Sequence, residues 1–188
     1  MNPWNKHLEE NIEEILIDQQ MLAQRVTEMA RQISADYQAI DTEELVIIGI
    51  LRGAVIFMSD LIRQLDLPVT IDFMAISSYT KGTRTSGTIR ILKDISESIT
   101  DKHVLIIEDI VDTGLTLQCL LDVLSARRPK SVKICSLLDK PMRRMVEMKA
   151  DYVGFEIPNK FVIGYGLDYE GHYRQVPYVG VLKPDAYQ

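Results

Sequence analysis

The chain has 188 residues, of which 46% are hydrophobic and 26% charged, and its formal net charge is −6. These values are typical of a soluble globular domain and argue against intrinsic disorder. The acidic balance also argues against a general nucleic-acid binder, which usually carries a basic face.

The start of the chain and its cysteines and histidines exclude several further classes. MNPWNKHLEE has no basic-then-apolar signal peptide, and no apolar run approaches the length of a membrane span. We therefore expect a cytoplasmic protein with no membrane partner. Cys119 and Cys135 form no CxxC motif and lie among aliphatic residues, so both are predicted to be small buried side chains. The three histidines are scattered, so no zinc motif is present.

The first half of the chain predicts strands that alternate with helices. A short strand, EEILI, precedes a helix with Asp18 as its N-cap, and a continuous apolar run from Val46 to Leu51 predicts a strand covered on both faces. Arg52 and Gly53 would form the turn into a second helix. The residues predicted to face the core from the two helices are Leu22, Val26, Met29, Ala30 and Ile33, then Ile56, Phe57, Leu61, Ile62 and Leu65.

The second half repeats this plan. VTIDFMAISSY predicts a strand, and TKGTRTSGTIRIL predicts a polar loop that leads into the next strand. HVLIIEDIVDTGLTLQCLLDVLSARRP is strand, loop and helix, SVKICSLLDK and ADYVGFEI are two more strands, and KPMRRMVEMKAD predicts a short helix with an exposed charged face. The Gly- and Tyr-rich end predicts turns with one closing strand. The helix in HVLIIEDIVDTGLTLQCLLDVLSARRP is predicted to place Leu117, Leu120, Leu121 and Leu124 on its inner face.

This alternation predicts an α/β fold with a twisted, mainly parallel sheet flanked by helices and right-handed crossovers. No linker or internal repeat divides the chain, so residues 1–188 are expected to form a single domain. The N-terminal strand and the C-terminal segment are expected to join as a small hood lobe. The predicted core covers about 35–155, and the hood about 1–17 and 156–188.

Three carboxylates follow the most apolar predicted strand, in VLIIEDIVDTGLTL, where ligands of α/β sheets bind. The segment DTGLT opens a helix whose free N–H groups and dipole favour an anion, and Gly114 allows a close approach. A plain N-cap with a glycine turn would explain DTGLT alone. Glu108 and Asp109, however, stand directly before it, which indicates a ligand with hydroxyls or a bound Mg²⁺, such as a sugar phosphate. The GxxxxGK[ST] and GxGxxG motifs are absent.

Val104–Leu117 resembles the phosphoribosyl pyrophosphate loop of the type I phosphoribosyltransferases, an aliphatic strand followed by E-D-x-x-D-T-G-x-T. Four other segments resemble the hypoxanthine-guanine branch of that family. GILRGA is similar to its pyrophosphate loop, SSYTKGTRTSG to its lid, LLDKP to its base-reading strand end, and VGFEIPNKFVIGYGLDY to its hood. The resemblance covers nearly the whole chain. Arg52 and Leu115 depart from it, because they stand where many or some members have lysine.

The resemblance implies the type I phosphoribosyltransferase fold and a Mg²⁺-dependent reaction of purine salvage. Hypoxanthine or guanine would react with phosphoribosyl pyrophosphate to give IMP or GMP and pyrophosphate. It also implies a homodimer or homotetramer. Two alternatives stay open: a regulator on the same fold that senses phosphoribosyl pyrophosphate and contacts nucleic acid, which the acidic charge disfavours, and an enzyme that prefers xanthine.

The resemblance also implies a role for each matching residue. Asp112 would be the catalytic acid or base at the purine's imidazole nitrogen. Glu108 and Asp109 would hold the ribose hydroxyls and, with Asp168, the Mg²⁺. The phosphoribosyl and pyrophosphate groups would be bound by Glu108, Asp109, Ile110, Val111, Thr113, Gly114, Leu115 and Thr116 and by Leu51, Arg52, Gly53 and Arg174.

The purine and the lid complete the site that the resemblance implies. Lys140 would contact the oxygen at position six of the base, and Phe161 would stack on the ring. Val162 would offer backbone groups to the purine, and Asp168 would also border it. Ser78 and Tyr79 would belong to a lid, which we expect to close over the reacting centre. Members of the family have a cis peptide bond before the position of Arg52, and the sequence alone does not show whether the Leu51–Arg52 bond is cis here.

Overall fold

The computed structural model describes residues 10–40, 42–81 and 84–187, and it describes side chains in these ranges except over 78–88. The described strands are β1 (Ile12–Ile17), β2 (Leu45–Leu51), β3 (Val69–Lys81), β4 (Arg84–Lys93), β5 (His103–Val111), β6 (Ser131–Asp139), β7 (Tyr152–Glu156), β8 (Val162–Ile163) and β9 (Val179–Leu182). The helices are α1 (Gln19–Gln38), α2 (Val55–Ile62) and α3 (Leu115–Ser125), and 3₁₀ turns cover Pro141–Arg143 and Pro184–Ala186.

A mostly parallel sheet forms the centre of the molecule, with the strand order β4-β3-β2-β5-β6-β7. Only the β3–β4 pair is antiparallel in this sheet, as far as the described strands go. The parallel strands β2, β5 and β6 therefore end at the same edge, where Leu51, Val111 and Asp139 are their last residues. The predicted α/β class is confirmed, and this edge carries the candidate site.

A second sheet of three antiparallel strands has the order β1-β9-β8. It joins the N-terminal strand to the C-terminal segment, as the predicted hood requires. Residues 1–9 of the predicted hood lie outside the described residues, and the boundaries between core and hood stay a prediction. Among the described residues, no helix is both long and apolar enough to cross a membrane.

The helices cover both faces of the central sheet. On one side α1 and α2 pack on it, and Asp18 caps α1 by accepting a hydrogen bond from the Met21 N–H at 2.8 Å. On the other side α3 packs through Leu117, Leu120 and Leu124. The five core residues predicted for α1 are all buried. Cys135 is buried, whereas Cys119 is only half-buried.

The predicted core face of the second helix needs a correction. Helix α2 ends at Ile62, before Leu65, and its buried residues are Phe57, Met58 and Leu61. Ile56 was expected in the core but is 37% exposed. Because Ile56 is rotated by about 100° from Phe57 around a helix of 3.6 residues per turn, only one of the two can point directly at the sheet.

The polar loop predicted after Tyr79 is another correction. The backbone continues as β3 to Lys81 and returns as β4 from Arg84, with Lys81 opposite Arg84. Threonine and isoleucine favour extended backbone, and antiparallel pairing satisfies the N–H and C=O groups that a loop would leave to water. Gly82 and Thr83 lie outside the described residues. Ser78 and Tyr79 belong to β3, but their side chains are not described, so the lid stays a prediction.

Candidate active site

A cavity of about 240 Å³ opens at the carboxyl edge of the central sheet. It lies between the ends of β2 and β5, the middle of β3 at Ile76 and the start of α3, because β2 and β5 end at the same edge and the helix begins just beyond β5. Among the residues predicted to bind a sugar phosphate, Leu115 is the first residue of α3. The phosphoribosyl-binding candidates that line the cavity are Glu108, Ile110, Val111, Thr113, Gly114 and Thr116, and the catalytic candidate Asp112 lines it too.

The start of α3 has the geometry of an anion-binding helix N-terminus. Gly114 is its N-cap in a left-handed conformation, with φ of +81°, and makes no side-chain cap. A methyl group at Gly114 would lie 2.9 Å from both the Met148 sulfur and Val146 Cγ2, so a side chain there would be crowded as well as strained. Thr113 Oγ1 accepts a long hydrogen bond of 3.4 Å from the Leu115 N–H. The turn leaves the helix end open toward the cavity, where a phosphate would be favoured.

Glu108 lines the cavity, Asp109 packs against the turn at Gly53, and the pKa values of both carboxyl groups are raised. Burial raises the pKa of Glu108 well above its ordinary value, and the neighbouring Asp109 carboxylate adds to this shift. Burial also raises the pKa of Asp109 to about 6, although its Oδ1 accepts the Ile110 N–H at 2.8 Å. The charge of Asp168 pushes the pKa of Asp109 further up, and that of Arg174 pulls it down. Carboxylates in this position gain from a cation or from hydroxyl donors.

The turn after β2 packs tightly against Asp109 and the hood. The Leu51–Arg52 peptide bond is cis, as the resemblance implies. A methyl group at Gly53 would lie 1.4 Å from Asp109 Oδ2, and a methyl group at Gly166 of the hood would lie 2.1 Å from the Gly53 carbonyl oxygen. The Arg52 side chain is exposed beside this contact. Only glycine allows these two segments and the Asp109 carboxylate to meet.

Asp168 and Arg174 approach the same place from the C-terminal segment. An Arg174 Nη2–Asp168 Oδ1 ion pair of 2.6 Å joins them, and Arg174 Nη1 donates to the Gly166 carbonyl at 2.6 Å. The other Asp168 oxygen accepts the Gly171 N–H at 2.7 Å. Arg174 is thus held by its own hood loop, from where its charge acts on Asp109.

Lys140 lies just beyond the end of β6 and is only 8% exposed. Its backbone N–H donates to the Val111 carbonyl at 2.9 Å, and its ammonium group donates to the Lys160 carbonyl at 2.7 Å. Burial lowers the pKa of Lys140, while the nearby Asp112 carboxylate opposes this shift. A buried ammonium group is therefore held between the end of β5 and the segment that leads into Phe161.

Two arginines that the sequence did not single out hold Asp112. Arg143 Nε donates to Asp112 Oδ1 at 2.9 Å, and Arg144 donates to the Asp112 carbonyl at 2.5 Å. Arg144 also pairs with Asp139 at the end of β6. The predicted short helix with an exposed charged face is a single 3₁₀ turn, and the Arg144 side chain is largely buried. The feature of the sequence that could have pointed to these Asp112 partners is the pair of arginines three and four residues after Lys140.

Phe161 and Val162 lie at the start of β8 in the hood. Val162 is buried and pairs with Val181 of β9. Phe161 is 37% exposed, and its ring contacts those of Tyr169 and Tyr187. Lys160, whose carbonyl accepts from Lys140, directly precedes Phe161, so the buried lysine is tied to the backbone beside the hood aromatic.

A model of the phosphoribosyl transferase domain matches residues 12–170. The chain is 46% identical over 181 residues to the hypoxanthine-guanine phosphoribosyltransferase of Bacillus subtilis, covering 96% of this chain and 99% of that protein. It is 48% identical to the hypoxanthine phosphoribosyltransferase of Haemophilus influenzae, covering 89% of this chain and 93% of that protein.

Two further comparisons concern a longer protein and a crystal structure. The chain is 44% identical to the bifunctional protein TilS/HprT of Listeria monocytogenes. The matched region is 97% of this chain but only 28% of that relative, so the chain spans a small part of the longer protein. The crystal structure of a hypoxanthine phosphoribosyltransferase from Staphylococcus aureus superimposes with a TM-score of 0.94 at 44% identity, and 98% of each chain is covered.

Proposed function

This chain belongs to the phosphoribosyl transferase domain family, and from that premise we propose that it is a purine-salvage phosphoribosyltransferase. It transfers the 5-phosphoribosyl group of phosphoribosyl pyrophosphate to hypoxanthine and guanine, giving IMP and GMP with release of pyrophosphate. The observation that carries this proposal is the buried Lys140 ammonium group, on which the charge of Asp112 acts, together with the cavity that Asp112 lines at the N-terminus of α3.

The geometry supports a division of labour in this reaction. The N-terminus of α3 holds the 5′-phosphate, and the Glu108 and Asp109 carboxylates accept hydrogen bonds from the ribose hydroxyls. The bond between the anomeric carbon and pyrophosphate breaks as a purine nitrogen bonds to that carbon. Arg174 and the turn at Gly53 bind the leaving pyrophosphate, and Asp112 takes the proton that the purine loses.

The donor groups of the site fit Mg²⁺ shared with the substrate. Among the described residues, no three acidic, histidine or cysteine side chains form a metal cage. Mg²⁺ is usually held by one or two carboxylates together with substrate phosphates and water. Asp109 and Asp168 would be such ligands, because the charge of Asp168 acts on Asp109 and helps to raise its pKa, and Glu108 lies next to Asp109 in the chain. When bound, Mg²⁺ would neutralise charge on the pyrophosphate.

A panel of bases tests the proposed function directly. The protein is mixed with phosphoribosyl pyrophosphate and hypoxanthine, guanine, xanthine or adenine, and nucleotide formation is followed by chromatography. We expect IMP and GMP. Chiefly XMP would instead favour the xanthine-preferring alternative. Absence of any nucleotide, together with tight binding of phosphoribosyl pyrophosphate, would favour the regulator.

Chelation of divalent cations is expected to abolish IMP formation, and added Mg²⁺ is expected to restore it. The physical reason is the high charge of the pyrophosphate leaving group beside three carboxylates, which Arg174 alone cannot balance. The measurement is the initial rate in EDTA and after stepwise addition of MgCl₂. Full activity in EDTA would contradict the assignment of Glu108, Asp109 and Asp168 to a metal.

Gly53→Ala is expected to lower kcat/KM for phosphoribosyl pyrophosphate by at least about tenfold, since a misplaced group at a reacting centre costs that much or more. The new methyl group would collide with Asp109 Oδ2, 1.4 Å away, and would push the carboxylate from its place. Steady-state kinetics measure the effect, and the thermal unfolding midpoint checks that the fold persists. Wild-type kinetics in the folded variant would show that the close packing of Asp109 on this turn is unimportant.

A homodimer or homotetramer and a cytoplasmic location are also part of this proposal, with no nucleic-acid or membrane partner. The half-exposed apolar residues Val55 and Ile56 on α2 support self-association, because such residues gain from burial in an interface. Light scattering on the purified protein gives the mass of the assembly. A monomer at micromolar concentration would contradict this part.

A further inference from the structure

Three aromatic rings form a closed cluster at the hood. Phe161 and Tyr187 stack with ring centroids 4.9 Å apart and planes 23° from parallel. Tyr169 meets Phe161 edge-on, at 5.7 Å and 87°, and its ring lies 6.5 Å from that of Tyr187. Both geometries are ones that aromatic pairs prefer. Tyr187 is therefore a specific partner of Phe161.

The C-terminal segment fixes Tyr187 relative to Phe161. The Leu182 N–H donates to the Phe161 carbonyl at 2.9 Å, which extends the β8–β9 pairing by one residue. Lys183 then donates its backbone N–H to the Asn11 carbonyl at 2.9 Å and its ammonium group to the Glu10 carbonyl at 2.6 Å. The 3₁₀ turn that follows returns the chain, and the Tyr187 N–H donates to the Pro184 carbonyl at 3.1 Å.

The contacts divide the surface of the Phe161 ring. Tyr187 covers one face, and Tyr169 closes an edge. Phe161 nevertheless remains 37% exposed, and the ring face opposite Tyr187 is the one that neither of these two contacts covers. Tyr187 is itself 36% exposed, so its burial contributes little to the core of the protein. An exposed phenylalanine would sample several rotamers, whereas one stacked on a second ring is held in one.

We propose that Tyr187 is a positioning residue for the purine: it backs the Phe161 ring, so that the open face stands ready to stack on the base. This inference rests on the proposed function. Tyr187 touches neither the base nor the ribose; it acts by lowering the conformational cost of forming the stack. This conformational cost arises when the purine binds, so Tyr187 should affect the affinity for the base. The rate of the chemical step and the affinity for phosphoribosyl pyrophosphate should not change.

Tyr187→Ala is expected to raise KM for hypoxanthine by about three- to tenfold, the range that one aromatic pair contributes to an equilibrium. Both kcat and KM for phosphoribosyl pyrophosphate should stay within about twofold of wild type, which is the pattern of lost uniform binding of one substrate. Tyr187→Phe should restore wild-type KM, because the stack needs the ring and not the hydroxyl group. Tyr187→Leu, which keeps bulk without an aromatic face, should behave like Tyr187→Ala.

Asp185→Ala is the matched control, since Asp185 is exposed on the 3₁₀ turn that leads into Tyr187. This substitution should leave kcat and the KM values for hypoxanthine and phosphoribosyl pyrophosphate unchanged. A lower KM for hypoxanthine in Tyr187→Ala would overturn the inference, because Tyr187 would then cover the face that the base needs. An unchanged KM, or an equal loss in Asp185→Ala, would overturn it as well. If wild-type protein forms no IMP, the proposed function itself fails. If wild-type protein forms IMP but Tyr187→Ala has wild-type kinetics, only the role of Tyr187 fails.

Discussion

Asp112→Asn is expected to lower kcat for IMP formation by about 10²- to 10⁴-fold, the usual contribution of general acid–base catalysis. Asp112 lies beyond the end of β5, in the cavity lining, and its charge acts on the buried Lys140. Asparagine has nearly the same shape and can still accept from Arg143, but it cannot take a proton from the purine. Binding of phosphoribosyl pyrophosphate should persist, because the N-terminus of α3 is unchanged.

The same substitution at Asp122 is a suitable control for this prediction. Asp122 is an exposed residue of α3, on the helix that carries the phosphate-type N-terminus but away from the cavity. Asp122→Asn should turn over at the wild-type rate. Single-turnover kinetics, with binding of phosphoribosyl pyrophosphate measured separately by calorimetry, distinguish a chemical defect from a binding defect. A loss below about tenfold in Asp112→Asn would remove Asp112 from the proton-transfer role.

The sequence predicts the part of this site that is local along the chain. The strand that ends in Glu108 and Asp109, and the glycine that opens the next helix, lie within a few residues of each other, so strand and helix-start patterns locate them. Parallel strands then bring Leu51, Val111 and Asp139 to one edge without further information. The α/β class and the position of the cavity follow from these short-range patterns.

The contacts that tune the site are long-range, and no periodicity encodes them. Arg143 and Arg144 lie 31 and 32 residues from Asp112, and the pairing depends on how the turn after Lys140 folds back. Basic residues in a polar segment usually favour solvent, so a pattern-based reading leaves them exposed. The stacking of Tyr187 on Phe161 depends in the same way on the β8–β9 pairing and the C-terminal 3₁₀ turn.

The β3–β4 hairpin shows a different limit. Its polar, threonine-rich sequence is compatible with both a loop and an extended pair, since β-propensity depends strongly on the neighbouring strand. In the structure, Ser77 lies opposite Arg90 and Ala75 opposite Lys93. Pairing with the backbone of the neighbouring strand therefore favours the extended pair over the loop. Ile56 differs again, because its exposure depends on which face of α2 meets the sheet, and a short apolar helix offers more than one candidate face.

Lys140→Met is expected to depress hypoxanthine use strongly and to narrow the gap between hypoxanthine and adenine. The ammonium group is a donor without acceptor capacity, and only 8% of the residue is exposed. It can pair with the oxygen of a six-oxopurine, whereas the amino group of adenine would face it donor to donor. Sites built around such a polar contact reject the mismatched analogue by about 10⁴- to 10⁵-fold. Wild-type enzyme should therefore discriminate against adenine on this scale.

Lys160→Met separates this effect from a general loss of positive charge near the purine. Lys160 precedes Phe161, and its exposed ammonium group pairs with Glu14 Oε1 at 2.5 Å, away from Lys140. Its carbonyl, which accepts from Lys140, is unaffected by the substitution. The ratio of kcat/KM for hypoxanthine to that for adenine should stay at the wild-type value in Lys160→Met and fall in Lys140→Met. Adenine turnover within about tenfold of hypoxanthine in the wild-type enzyme would contradict the role of Lys140, since the buried ammonium group would then face the adenine amino group donor to donor at little cost.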